Sequence, residues 1–379
     1  MKLRIYAAAL AASLFLCSGL PAQSLSLLVL SKQDHTLAIV DPSSLQVIAK
    51  APVGEDPHEV IASSDGSTAY VSNYGFGLYN NLYVIDLATA KDLPQIDLGP
   101  LRGPHGLTFV GGKTWFTAEA AKAIGRYDPA TKKVDWIMGT GQNRTHMIFV
   151  SEDQKLIVTS NVSSGSVSIF EMQSTRQGGP GPGGPRPNGA GPGGPPQNGG
   201  QGGPRPNGPR PNGPPPGGPR PPGSQEPAVD WNETVVAVGR GSEGFDVSPD
   251  HKEVWVANAQ DATVSVIDLA SKKVVATLAA NVPSANRLKF TPDGKLVLVS
   301  SGPNLVVLDA ATREVVKRIL VGHQGHGAGG VLVEPNGARA FVSCGPDNYV
   351  AVIDLHTLEV IGHIEAGGGP DGLAWAVRR

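Results

Sequence analysis

After its first two dozen residues the chain is written in short apolar runs separated by polar and turn-forming positions, and the runs come in sets of four. One set reads Val60-Ile61-Ala62, Ala69-Tyr70-Val71-Ser72, Leu82-Tyr83-Val84-Ile85 and Gln95-Ile96-Asp97-Leu98. Asp65-Gly66 separates the first two runs and Gly99 closes the last. Runs of this length bounded by turn residues predict strands joined in antiparallel order. A set of four strands recurring every ~40–45 residues is the arithmetic of a propeller blade.

The period can be counted. The third run of each set ends in an acid: Val40-Asp41, Ile85-Asp86, Tyr127-Asp128, Phe170-Glu171, Ile267-Asp268, Leu308-Asp309 and Ile353-Asp354. Three residues on from the six aspartates stands a hydroxyl: Ser44, Thr89, Thr131, Ser271, Thr312 and Thr357. A carboxylate that accepts backbone N–H groups two residues ahead stabilises a tight reversal, and the hydroxyl adds a second local bond. The acids lie 45, 42, 43, 97, 41 and 45 residues apart. Setting aside residues 173–227 restores the period across the long interval. The count predicts an all-β fold, a seven-bladed β-propeller with four antiparallel strands per blade and one interrupted blade.

The ends of the chain complete each other. Leu27-Leu28-Val29-Leu30, Leu37-Ala38-Ile39-Val40 and Gln46-Val47-Ile48-Ala49 supply three strands of a blade that lacks its innermost one. Gly372-Leu373-Ala374-Trp375-Ala376-Val377 supplies an innermost strand without a blade. Pairing the two closes the ring and removes an open edge. Leu373, Trp375 and Val377 are the residues this closure is expected to bury.

Composition refines the picture. With 49 Gly and 33 Pro among 379 residues, a helical domain is disfavoured. Lys2 and Arg4 precede an apolar stretch, Ile5 to Leu16, that is short for a membrane span, and Leu20-Pro21-Ala22 offers a cleavage point. This reads as a signal peptide over 1–22, with export to the periplasm or the outside, and no later segment suits a transmembrane helix. Acylation at Cys17 is disfavoured by Leu16. Beyond the leader the one cysteine is Cys344, so no intramolecular disulfide is expected. The net charge of −2 gives no support for nucleic-acid binding, and a monomer is expected. The domains are therefore 1–22, a propeller over 24–172 and 228–379, and an insert, 173–227. That insert repeats Pro-Asn-Gly units such as Arg205-Pro206-Asn207-Gly208, and it has too few apolar side chains to fold. Its place between the third and fourth strands of a blade puts it opposite the channel mouth described next.

Tyr70-Val71-Ser72-Asn73, Val254-Trp255-Val256-Ala257-Asn258 and Thr263-Val264-Ser265-Val266-Ile267-Asp268 with Lys273-Val274-Val275-Ala276-Thr277 resemble the YVTN-type (YncE-like) β-propeller repeat. The resemblance spans the chain outside the leader and insert. It implies the fold and leaves function open, since such propellers serve as surface proteins, binding modules and occasional enzymes.

Aligning the starts of the innermost strands gives the functional reading. They are Pro57-His58-Glu59, Pro104-His105-Gly106, Thr145-His146-Met147, Ser242-Glu243-Gly244, Ala285-Asn286-Arg287, Gly329 with His323 and His326 upstream, and Pro370-Asp371-Gly372. Innermost strands line the channel, so these positions form a ring at one mouth. Loops on the same face bring Tyr74, Tyr79, Asn80, Asn161, Asn258 and His35. The ligand-binding candidates are His58, His105, His146, Glu243, Asn286, Arg287, His326, Asp371 and Tyr74. Imidazole with carboxylate suits a borderline divalent ion, here through His58, His105, His146 and Glu243, and equally suits acid–base chemistry through His105, His146 and Glu243. A divalent metal ion is the one cofactor admitted. The partner expected at the mouth is a small molecule or a protein. Lactonase-type propellers and streptogramin B lyases are similar in architecture. That likeness implies a lactone hydrolase or lyase, with His and Glu at the mouth, as the alternative to a binding module, and a non-catalytic surface scaffold is the third class. Cys344 reads as the occupant of the Asn position of its repeat.

Overall fold

The computed structural model describes residues 24–174, 229–323 and 327–378. The expected leader with Cys17, residues 175–228 of the expected insert, and His326 lie outside the described residues, as does the placement of the insert relative to the mouth. Gln173 and Ser174, assigned to the insert from the sequence, instead end the strand Ser166–Ser174. The chain divides into a large unit, Met1–Glu171 with Glu233–Arg379, and a small one, Met172–Asn232, whose described residues are the ends of two strands.

The strands form seven four-stranded sheets, in which the described pairings are antiparallel. They are the blades of a seven-bladed β-propeller. Numbered from the N-terminus, their innermost strands are Pro370–Arg378 for blade 1, then Pro57–Ala62, Pro104–Val110, Thr145–Val150, Ser242–Val247, Ala285–Phe290 and Ala328–Val333. Each innermost strand lies against those of the blades on either side, so they encircle a central channel. Blade 1 is built from both ends of the chain, with Leu25 opposite Val377, Leu27 opposite Trp375 and Val29 opposite Leu373.

Burial follows from position in the blade. The second and third strands are covered on both faces by neighbouring blades, and Leu27 through Leu30 are all fully buried. Strands buried on both faces lose the alternation of a half-exposed sheet and read as continuous apolar runs. The outermost strands have one wet face and do alternate, as in Lys133–Gly139. In the closing strand Pro370, Gly372, Ala374 and Ala376 are the buried residues. Leu373, Trp375 and Val377, expected to be buried, are half-buried: Leu373 and Trp375 pack on the Phe341 cluster of the neighbouring blade and also border the channel space.

The acid turns form as the pattern requires. Asp41 accepts hydrogen bonds from the Ser43 N–H and from both the Ser43 and Ser44 hydroxyls, which lower its pKa to about 2. Asp86, Asp309 and Asp354 accept the N–H groups two and three residues ahead. Cys344 stands opposite Ala328 as Asn258 stands opposite Ser242, so it does occupy the Asn position. Burial pushes its thiol pKa up to about 12, which makes it inert. Among the described residues no helix is long and apolar enough to cross a membrane.

Candidate functional site

Each site residue is aimed inward by the same device. At the start of every innermost strand the register with the second strand slips, as between Pro57 and Val60, Pro104 and Leu107, or Thr145 and Ile148. A bulge of this kind re-aims a side chain and leaves backbone groups unpaired. Hydroxyls on the second strands fill the gap. The Thr117 hydroxyl accepts the Gly106 N–H and donates to the His146 carbonyl of the next blade, at 2.9 and 2.7 Å. Ser72 donates to the His105 carbonyl, Ser160 to that of Glu243 and Ser343 to that of Asp371, at 2.7–2.8 Å. His105, His146, Glu243 and Asp371 are thus each clamped by the blade before them.

Two further positions complete the mouth. The residue preceding the innermost strand is left-handed in blade after blade: Asp56, Gly103, Arg144, Gly241, Ser284 and Gly369, with φ between 52° and 71°. Its carbonyl accepts the N–H of the residue just past the second strand, from Tyr74 to Asp56, Glu119 to Gly103, Val162 to Arg144 and Lys32 to Gly369. This extra rung brings Lys32, Tyr74 and Glu119 over the channel. It also places Asp56 and Arg144 there, where most blades have glycine.

The three histidines meet as the repeat predicts. The rings of His58 and His105 lie 4.9 Å apart and those of His105 and His146 3.9 Å apart, with Tyr74 edge-on to His58 at 5.0 Å and 5.5 Å from His105. They are not solvated, as a polar mouth suggests. His105 and His146 are each only 2% exposed, because the rings cover one another and Tyr74 and Arg144 cap them.

Each imidazole has its own environment. His58 Nδ1 donates to the Asp56 carbonyl at 3.1 Å, so its Nε2 is the acceptor for Lys32 Nζ at 2.8 Å. Both nitrogens are spent on a neutral ring, and burial, then the Lys32 charge, lower its pKa. His105 sits well below the ordinary value, through burial and then the charges of its histidine neighbours, and its Nδ1 has no hydrogen-bond partner. His146 lies between two carboxylates, Nδ1 2.5 Å from Glu119 Oε1 and Nε2 2.9 Å from Glu243 Oε2. The second carboxylate is off the N–H direction, so this contact is an ion pair and Nε2 remains without a hydrogen bond. Burial lowers the His146 pKa, but the two glutamates outweigh it and raise it overall. Burial would raise Glu243, yet the imidazole and the nearby arginines bring it down to about 2.

Charge is arranged in pairs around these rings. Arg144 lies 3.5 Å from Glu119 and 3.3 Å from Glu243, and Lys32 reaches Asp56 at 3.5 Å and Asp371 at 3.4 Å. Buried Arg287 pairs with Glu59 from across the channel and donates to Asn286 Oδ1 at 2.8 Å. Beneath that pair the channel continues as a space of about 340 Å³ walled by Ile61, Leu107, Phe149 and Trp375.

The sequence candidates divide accordingly. His58, His105, His146, Glu243, Asn286, Arg287, Asp371 and Tyr74 are brought to one mouth. Glu243 and Asp371 flank the histidines rather than facing them, since they belong to the adjoining blades. Asn161 and Asn258 are fully buried and brace their own hairpins through Ser166, Ser168, Thr263 and Ser265. Tyr79 and Asn80 bond Glu55 and Asp97 instead, His35 is exposed on its own loop, and His323 bonds Tyr349. Among metal-ligand candidates, His58 drops out because both its nitrogens are used, and Glu119 enters. His105, Glu119 and His146 each offer one ligand atom, all within 4.8 Å of one another. Glu119, Arg144 and Lys32 were not singled out from the sequence. The signal for them was the repeat itself, in the residue after the second strand and in the non-glycine at a left-handed position.

A YNCE-like β-propeller family model matches residues 225–336. No curated protein matches the chain. Among solved structures, a functionally unknown protein of Desulfotomaculum acetoxidans is 12% identical, with a TM-score of 0.65 over 91% of this chain and 98% of that one. Hydrazine synthase of Kuenenia stuttgartiensis is 15% identical, with a TM-score of 0.60 over 85% and 90%. The dihydro-heme d1 dehydrogenase NirN, solved in complex with DHE, is 14% identical, with a TM-score of 0.56 over 92% and 74%. At these identities the likeness is one of fold.

Proposed function

We propose that this YNCE-like propeller is an exported binding protein that holds a small polar ligand at its histidine mouth. The observation that carries this reading is a set of buried polar atoms that converge there without a hydrogen bond: Asp56 Oδ2 and His105 Nδ1 with no partner, beside Glu119 Oε2 and His146 Nε2, which have only ion-pair contacts. Folded proteins satisfy nearly all buried polar groups, and each exception costs roughly 1–3 kcal/mol. A cluster of them is maintained against that cost where a ligand supplies the missing bonds. The bulges and interblade hydroxyls support the same reading, since they hold the rings rigidly before any ligand arrives. The leader, Lys2 and Arg4 followed by Ile5 to Leu16, is the basis for placing the protein outside the cytoplasm.

A structural network and a binding site respond oppositely to one substitution. His105→Phe keeps the stacked ring and removes the unpartnered nitrogen. In ligand-free protein it should leave stability unchanged or raise it by about 1 kcal/mol, measured by urea unfolding. A loss of about 3 kcal/mol or more, the size expected for breaking a buried structural network, would overturn the proposal.

A further inference from the structure

Resting on that reading, we infer that the mouth binds one divalent transition-metal cation through His105, Glu119 and His146. These three side chains are 2%, 5% and 2% exposed, and their ligand atoms lie within 4.8 Å of one another. Bonds of about 2.0–2.2 Å to nitrogen and oxygen place ligand atoms roughly 3–4 Å apart, so small side-chain rotations close the set around an ion. Two buried atoms of the set have no hydrogen-bond partner, His105 Nδ1 and Glu119 Oε2, and the His146 nitrogen that faces Glu119 completes it. Glu243 Oε2, 2.9 Å from His146 Nε2, holds the far edge of that ring and so orients it toward the ion.

Charge points the same way. The mouth network holds the carboxylates Asp56, Glu59, Glu119, Glu243 and Asp371 against the cations Lys32, Arg144 and Arg287. Two negative charges in a largely buried network are left over, and one divalent cation balances them. A proton shared between His146 and its two glutamates neutralises only one. Two imidazoles with one carboxylate suit zinc, iron(II), nickel or manganese, whereas magnesium and calcium prefer an all-oxygen shell. His58 acts on this site as a positioning residue. Its ring packs on His105 while Lys32 and the Asp56 carbonyl hold its two nitrogens.

The test is calorimetric titration of the full chain, produced without a histidine tag and stripped with EDTA, using zinc chloride and, separately, magnesium chloride. One equivalent of zinc should bind at pH 7.5, and magnesium should not compete. Glu119→Gln, which keeps the shape of the side chain, and His105→Phe should each weaken zinc binding about a hundred-fold or more. His356→Ala, on an exposed outer turn, should bind as the wild type does. Wild type without a zinc isotherm, or equal affinity in wild type and Glu119→Gln, overturns the cation site. The two readings fail separately. If zinc does not bind but His105→Phe is as stable as the wild type, the ligand mouth stands and the cation alone is lost. If His105→Phe is strongly destabilised, the binding reading itself falls.

Discussion

At the scale of residues, the three histidines show how one inherited position acquires three protonation behaviours. His58 and His105 are pushed down by burial, and His146 is drawn up by two glutamates that outweigh its burial. The consequence for stability has a definite sign. His105 stays neutral in the folded state well below the pH at which its unfolded counterpart takes a proton near 6.5. Stability is therefore lost as pH falls through that value, by up to about 1.4 kcal/mol per pH unit for this one group. His146 acts oppositely, and its contribution, present at low pH, is lost as pH rises through its folded value. In metal-free protein, lowering the pH from about 7.5 to 5.5 should cost the wild type more than it costs His105→Phe. Parallel urea curves at the two pH values check this, and identical losses in the two proteins would contradict the buried neutral imidazole.

At the scale of elements, the innermost strands pack on a rhythm of small and large. A side-chain carbon on Gly106 would lie 2.5 Å from the His146 carbonyl oxygen, and one on Gly244 2.5 Å from that of Asn286. One on Gly372 would lie 2.4 Å from the carbonyl of His58. The residues those glycines face are Met147, Arg287 and Glu59. Glycine in one blade thus lets the backbone of the next blade's innermost strand approach closely. Gly244→Ala should cost about 1–3 kcal/mol, the range for overpacking a rigid contact, because the obstacle is backbone held by the Ser300 hydroxyl and cannot swing away. Denaturation of this variant beside Gly139→Ala, where the added carbon meets nothing within 4 Å, isolates the effect.

At the scale of the whole molecule, the period of the acids was enough to count the blades, and the unmatched strands at the two ends were enough to close the ring. Register equivalence also delivered the ring His58, His105, His146, Glu243, Asn286 and Asp371, because a repeat fixes where side chains point even when no motif does. What the sequence hid was contact between blades. Nothing in the linear pattern tells that Glu119 reaches His146 of the following blade, or that Leu373 is left half-buried while Ala374 is buried. Both depend on how one sheet leans on the next. Deleting Pro370–Arg379 tests the closure at this scale. It removes the innermost strand from blade 1, exposes the second strand, and should lower the melting temperature by more than about 5 °C. An unchanged melting curve would mean the ring holds without it.

The pairing of Ser24–Ser31 with Pro370–Arg378 also orders events in time. Blades 2, 3, 5, 6 and 7 are each made from about forty neighbouring residues and can assemble as soon as those residues are free to fold. Blade 1 cannot, because its first strand waits through the synthesis of nearly the whole chain for its partner. Until Pro370–Arg378 is made, the chain is an arc whose strand Ser24–Ser31 has a bare inner edge. A chain that stops before Pro370 keeps that edge, recognisable to the chaperones and proteases that seek unpaired strands.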